Sequence, residues 1–385
     1  MNLHFDFRDI FYAPRIAFRF QRFWINGLGL FGGYLIFWVF TYLSLVIDGN
    51  PFYGVWARYG LLPCSYNQLE SWFSLTIFLV GTAIFLALFL LTNTALSRVA
   101  YAELRREVFY TWTQAFRFAL RKWVSVIGAM LTFLFMIAFI AVGTIAMGFI
   151  GRIPVIGELG NSLLIIPYLL AALLLLFICI VACFAVFLVP AIIATSEEDS
   201  LGGVFQSFSI AFNQPFRLIG YSILTGLLEI SGIIALAFFV KKAYLLFASL
   251  FTVGMGEKFV NITEHGLSLI DKALPQLYSW LQYLSGAFSG QIYLGYHHTP
   301  VTLSISENIA AYILLVFILV IGGTVLTYGE AIRNTGFTIL YVDLYKIHEN
   351  ENLLDREDGE LNPDLEELNE ESIQKEDDSE TDDED

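Results

Sequence analysis

Long apolar runs alternate with short polar connections along this chain, and the runs set its architecture. A helix needs about 20 mostly apolar residues to cross ~30 Å of hydrocarbon. Six stretches meet that requirement, at about 25–47, 72–96, 124–150, 162–195, 218–240 and 309–327. The fourth exceeds a single crossing, which predicts tilt or a kink near Pro167 or Pro190. Residues 243–254 form one more apolar run, too short to cross alone, and read as interfacial or re-entrant. The first run is too long for a secretory signal and lacks a small-x-small cleavage site, so it reads as a retained span.

Cations between the runs predict an orientation, because Lys and Arg accumulate on the cytoplasmic side. The N-terminal segment, the connections 97–123 and 196–217 and the C-terminal region together hold 15 of the 21 Lys and Arg residues. Four of the other six lie in one long loop between the fifth and sixth spans. The expectation is a multi-pass protein of the cell (inner) membrane with both termini cytoplasmic.

Composition agrees. The chain is 57% apolar and 15% charged, with a mean hydropathy of +0.66, which argues against an ordinary soluble enzyme. The net charge of −15 hides a division. Residues 349–385 contain 19 acids and two bases, so the remaining chain is nearly neutral. That segment lacks the apolar content to fold by itself and reads as a disordered acidic cytoplasmic tail. Leu354, Leu361, Leu365 and Leu368 offer one helical face for docking a basic partner. The plainer reading is a solvated, self-repelling tail.

An internal repeat organises the spans. RDIFYAPRIAFRF at 8–20 and REVFYTWTQAFRF at 106–118 share seven of 13 positions at an offset of 98. A weaker copy, VFQSFSIAFNQ at 204–214, keeps Phe205, Ala211 and Phe212 in register. The expected fold is therefore an all-α membrane protein with six transmembrane helices. They form three tandem units of about 97 residues, each an amphipathic helix plus a helical hairpin. Unit 1 covers 1–105, unit 2 106–201 and unit 3 202–348, the last with an outer insertion at 241–307; the tail is 349–385.

In the second unit Val108, Phe109, Trp112, Ala115, Phe116, Ala119, Leu120 and Trp123 follow the spacing of one helical face. Arg105, Arg106, Arg117, Arg121 and Lys122 border it, as Arg15, Arg19 and Arg22 do in the first unit. Such a helix suits the headgroup layer, its cations near lipid phosphates. Equally, it can pack on the protein's own spans. In the outer insertion Phe259, Ile262, Leu269, Ile270, Leu274, Leu277, Trp280, Leu281 and Leu284 form a stripe, with Pro275 a bend and 290–300 a loop.

The segment FLVPAIIATSEEDSLGGVFQSFSIAFNQPFRLIGYSIL at 187–224 resembles the multi-pass membrane domain fused to some bacterial glycerophosphodiester phosphodiesterases, also found as stand-alone proteins. Pro190, Glu197, Glu198 and Ser207 occupy positions typical of that domain, as do Leu340, Tyr341, Asp343 and Leu344 near the end of the last span. The resemblance covers about residues 100–349 and implies a helical membrane domain. The catalytic domain is missing from it, so it implies no diesterase activity.

Candidate chemistry is sparse. Glu229 stands near the middle of the fifth span, where an acid costs roughly 2.5–3.5 kcal/mol to insert. A proton- or cation-coupled site is one reading. A protonated Glu bonded to a neighbouring helix is the plainer one, since no intramembrane base is evident. Cys64, Cys179 and Cys183 lack partners at metal-ligand spacing and read as small buried hydrophobes. His265, His297 and His298 read as solvated insertion residues. No catalytic, cofactor-binding or metal motif appears. The expected role is a non-enzymatic scaffold or accessory subunit of a membrane complex, touching membrane lipid and a protein partner but no nucleic acid. The alternative is a transporter of a lipid or amphiphilic solute that uses Glu229.

Overall fold

The computed structural model describes residues 4–63, 69–107, 110–154, 156–275 and 303–355. Among them the chain is helical and forms no strand. Six helices are long and apolar enough to cross a membrane: α2 (Phe20–Ile47), α4 (Trp72–Leu104), α6 (Trp123–Ile150), α8 (Ile165–Ser196), α10 (Pro215–Met255) and α12 (Ile305–Glu349). Shorter helices join them: α1 (Ala13–Ala17), α3 (Phe52–Tyr59), α5 (Trp112–Arg121), α7 (Ile156–Leu163), α9 (Ser200–Asn213) and α11 (Glu257–Ala273).

Local chemistry sets the boundaries. Thr111 and Gln114 form a capping box that starts α5, and Ser304 with Glu307 does the same for α12. Asp199 caps α9 by accepting the Gly202 N–H at 2.7 Å. Glu197 and Asn350 end α8 and α12 in the left-handed conformation, at φ 59° and 57°. Beyond the end of α2, the Asp48 carboxylate accepts the N–H groups of Ser71 and Glu70 at 2.9 and 3.1 Å. Those two donors hold its carboxyl below the usual range.

Three expectations about these boundaries need correction. Residues 243–254 form no separate segment and continue α10 without a break to Met255. The sixth span does not stop at Thr327, because α12 runs on to Glu349 and buries Asn334, Thr335, Thr338 and Asp343 against its neighbours. At 45 residues α12 is about 68 Å long, twice what a bilayer core requires. The helix of the second unit runs from Trp112, after Arg106 at φ 69°, and Val108 and Phe109 of its expected stripe lie outside the described residues.

The helices associate as three antiparallel hairpins, α2 with α4, α6 with α8 and α10 with α12. The second members of the hairpins, α4, α8 and α12, also touch one another. Their C-terminal ends meet at the side where α1 packs on α12, termed the terminal side. Burial is concentrated there: residues 90–104 of α4, 185–196 of α8 and 325–344 of α12 hold most of the buried positions of these helices. Farther out, α6, α8, α10 and α12 leave apolar side chains such as Phe139, Leu170, Ile234 and Phe317 uncovered. Pro190 is accommodated within α8, which at 32 residues keeps the excess length expected of that span.

Close backbone approach holds the first hairpin. Gly29 faces Thr92 so closely that any Cβ there collides with the Thr92 side chain. Gly29→Leu is expected to destabilise the protein by about 1–3 kcal/mol through overpacking. Denaturant unfolding in mild detergent measures this, with Gly27→Leu, a position facing open space, as the control.

The insertion stripe forms α11 as far as Ala273, with Thr263, Leu269 and Ala273 buried and Pro275 just past its end. Leu277, Trp280, Leu281, Leu284, the 290–300 loop, His297 and His298 lie outside the described residues, as do Cys64 and the tail beyond Asp355.

Candidate functional site: interlocked charges at the terminal side

Basic side chains close to the terminal side are the most informative groups in the fold. Arg22, in the first turn of α2, is 1% exposed. Its guanidinium donates to Glu103 of α4 at 2.8 Å and to the Thr335 hydroxyl of α12 at 2.7 Å. Arg19 reaches the same carboxylate at 3.1 Å from a mostly exposed position. One turn along α2, Asn26 donates to the Thr327 carbonyl at 2.9 Å. Asn334 bonds to the Asn93 side chain at 3.1 Å and so ties α12 to α4.

A second node joins α4 to α8. Arg98, also 1% exposed, donates to the Ala194 carbonyl at 2.8 Å and to the Glu197 carboxylate at 2.6 Å. Its guanidinium lies over the Phe118 ring of α5, 4.2 Å from the centroid. Lys122 adds a 2.8 Å bond to the Glu197 carbonyl. Two cations therefore satisfy orphan carbonyls at the negative end of α8. Tyr101, on the same helix as Arg98, donates to the Leu353 carbonyl at 2.6 Å and seats the root of the tail, where Leu353 is fully buried.

The third node contains Glu229. Arg333 of α12 lies 3.4 Å from its carboxylate, also pairs with Glu330 one turn away, and stacks over Phe187 at 4.4 Å. The expectation that Glu229 has no basic partner is therefore corrected. Arg333 was missed because the apolar run ends at Thr327, which made it look like a cytoplasmic cation. A legible signal existed in the alternation of small and polar residues from Thr327 to Thr338, unlike a loop.

The expected lipid-facing cations divide into two groups. Arg22 is corrected: it lies inside the protein, held by an acid and a hydroxyl, and cannot reach a headgroup. Lys122 is engaged with the end of α8, and Arg105 pairs with Glu107 at 3.5 Å. Arg15, Arg19, Arg106, Arg117 and Arg121 are exposed. On α5 the buried face is Ala115, Phe118 and Ala119, while Trp112 and Leu120 are exposed, as is Trp123 at the start of α6.

Ser207 is buried and bonded to the Gly203 carbonyl at 2.8 Å. Asp343 is fully buried near the end of α12, and neither of its carboxylate oxygens has a hydrogen-bond partner among the described residues. Cys179 and Cys183 are free thiols on α8, the latter exposed rather than buried as expected. Among the described residues no three His, Cys, Asp or Glu side chains stand where they could hold a metal ion. No family profile, curated protein or solved structure matches this chain.

Proposed function

We propose that this chain is a membrane scaffold or accessory subunit. The observation that carries the reading is how its polar groups are used. Arg22 pairs with Glu103 and Arg98 with Glu197, Asn26 bonds to Thr327 and Asn334 to Asn93, so these groups tie α2, α4, α8 and α12 together and lock one end of the helices. Buried ionic groups of this kind fix one arrangement more than they add stability. Outer halves of α6, α8, α10 and α12 stay apolar and uncovered, which suits lateral contact with lipid or a partner's spans.

On this reading the protein sits in the cell membrane with both ends cytoplasmic, and its acidic tail engages a protein partner. Three tandem units are supported by a cyclic placement: α1 rests on α12, α5 on α4, and α9 on α8 as well as on α6. Each short helix thus packs on the crossing that precedes it, counting the last as preceding the first. The likeness to the membrane domain of some bacterial phosphodiesterases belongs to the same proposal.

Gentle native extraction with mass spectrometry of everything that co-purifies tests this. The full chain is compared with one ending after Asp355, so that Leu353 keeps its seat on Tyr101. Loss of a stoichiometric partner with the tail is the expected result. Identical partners in both samples remove the tail from the proposal. A lone chain carrying one bound solute would instead favour transport, the reading to which the Glu229–Arg333 pair lends weight.

A further inference from the structure

Beside the Glu229–Arg333 pair, α8, α10 and α12 leave a cavity of about 260 Å³. Phe184, Phe187 and Phe337 supply its aromatic wall, and Ser222 and Arg333 its polar groups. Gly226, one turn beyond Ser222 on the same face of α10, lacks the side chain that would fill it; a Cβ there meets nothing within 4 Å.

Two donors at this cavity are unused. Arg333 spends its terminal nitrogens on Glu229 and Glu330, but its Nε is buried without a partner. The Ser222 hydroxyl is likewise buried and unpartnered. Native proteins seldom leave buried donors unmade, because each then bears its full desolvation cost. Both groups line the cavity, and neither has an acceptor there.

We propose that this cavity binds the oxyanion headgroup of a lipid, a phosphate or a carboxylate attached to an acyl chain. The guanidinium favours an anion, and its planar fork suits an oxyanion. A cation is disfavoured because neither Glu229 nor Glu330 lines the space. The aromatic wall and the exposed apolar residues Ile223 and Leu227, next along α10, suit an acyl chain rather than a soluble anion. An arriving oxyanion competes with Glu229 at 3.4 Å for the same guanidinium. Glu229 then acts as a placeholder that occupies Arg333 when lipid is absent.

Cys183 also lines the cavity and reports its occupancy. The test uses the full chain with Cys64→Ser and Cys179→Ser, purified in neutral detergent, and follows alkylation of Cys183 by iodoacetamide. Oleate, phosphatidic acid and diolein are added in separate arms. Slowing of about tenfold by oleate or phosphatidic acid, but not by diolein, is expected for a charge-assisted contact. The arm that protects identifies the headgroup as carboxylate or phosphate. Ser222→Ala should weaken protection several-fold, and Gly226→Val, which enters open space and leaves the fold intact, should abolish it. Equal protection by diolein, no protection by either anion, or protection that survives Gly226→Val overturns the proposal.

Discussion

Arg98→Ala is expected to destabilise the protein by about 3–5 kcal/mol, the typical cost of removing one partner from a buried ion pair. The mutation leaves the Glu197 carboxylate without its 2.6 Å partner and the Ala194 carbonyl without its donor, both at the negative end of α8. It also removes the plane beneath the Phe118 ring, loosening α5 from α4. Because α4, α8 and α5 all meet at this side chain, the loss should appear as earlier unfolding of the whole terminal side. Denaturant titration in mild detergent, followed by tryptophan fluorescence, measures it. Arg98→Lys keeps the charge but cannot reach carbonyl and carboxylate together with one fork, and should recover only part of the loss. A full recovery by lysine would show that charge alone matters at this node.

The Arg22–Glu103 pair should behave non-additively. Arg22→Met strands Glu103 with only the exposed Arg19, and leaves the Thr335 hydroxyl without its 2.7 Å donor. A loss of about 3–5 kcal/mol follows from breaking the buried pair. Glu103→Leu in the wild-type background strands the Arg22 charge at 1% exposure and should cost a similar amount. The double variant Arg22→Met/Glu103→Leu removes both charges and restores an apolar contact of similar volume. Its loss should therefore be well below the sum of the two single losses, with an interaction energy of about 1–3 kcal/mol. Simple additivity in the same unfolding assay would show that the two side chains do not act as a pair. The uncovered outer helix surfaces should be unaffected in all three variants.

Both predictions concern arginines whose roles were only half visible in the sequence. Arg22 and Arg98 stand beside apolar runs, and in the sequence they read as cations flanking a span. Nothing near them in the chain announces Glu103 or Glu197, which lie 81 and 99 residues away. Glu229 was legible as a candidate because an acid in a greasy run is conspicuous. Arg333 was not, because it lies past the end of the apolar run, where a cation reads as a flanking charge.

By itself, then, the sequence determined that the chain holds six helices long and apolar enough to cross a membrane, with shorter helices between them. An apolar run of twenty residues has one favourable solvent, and within it the backbone has no hydrogen-bonding alternative but the helix. Tertiary structure alone decided how far α4, α10 and α12 extend, which cations turn inward and where the cavity beside Arg333 lies. The physical reason is that the cost of a charge in low dielectric depends on what stands within a few ångströms of it. That neighbour is supplied by another helix, at a separation in the chain that no local pattern records.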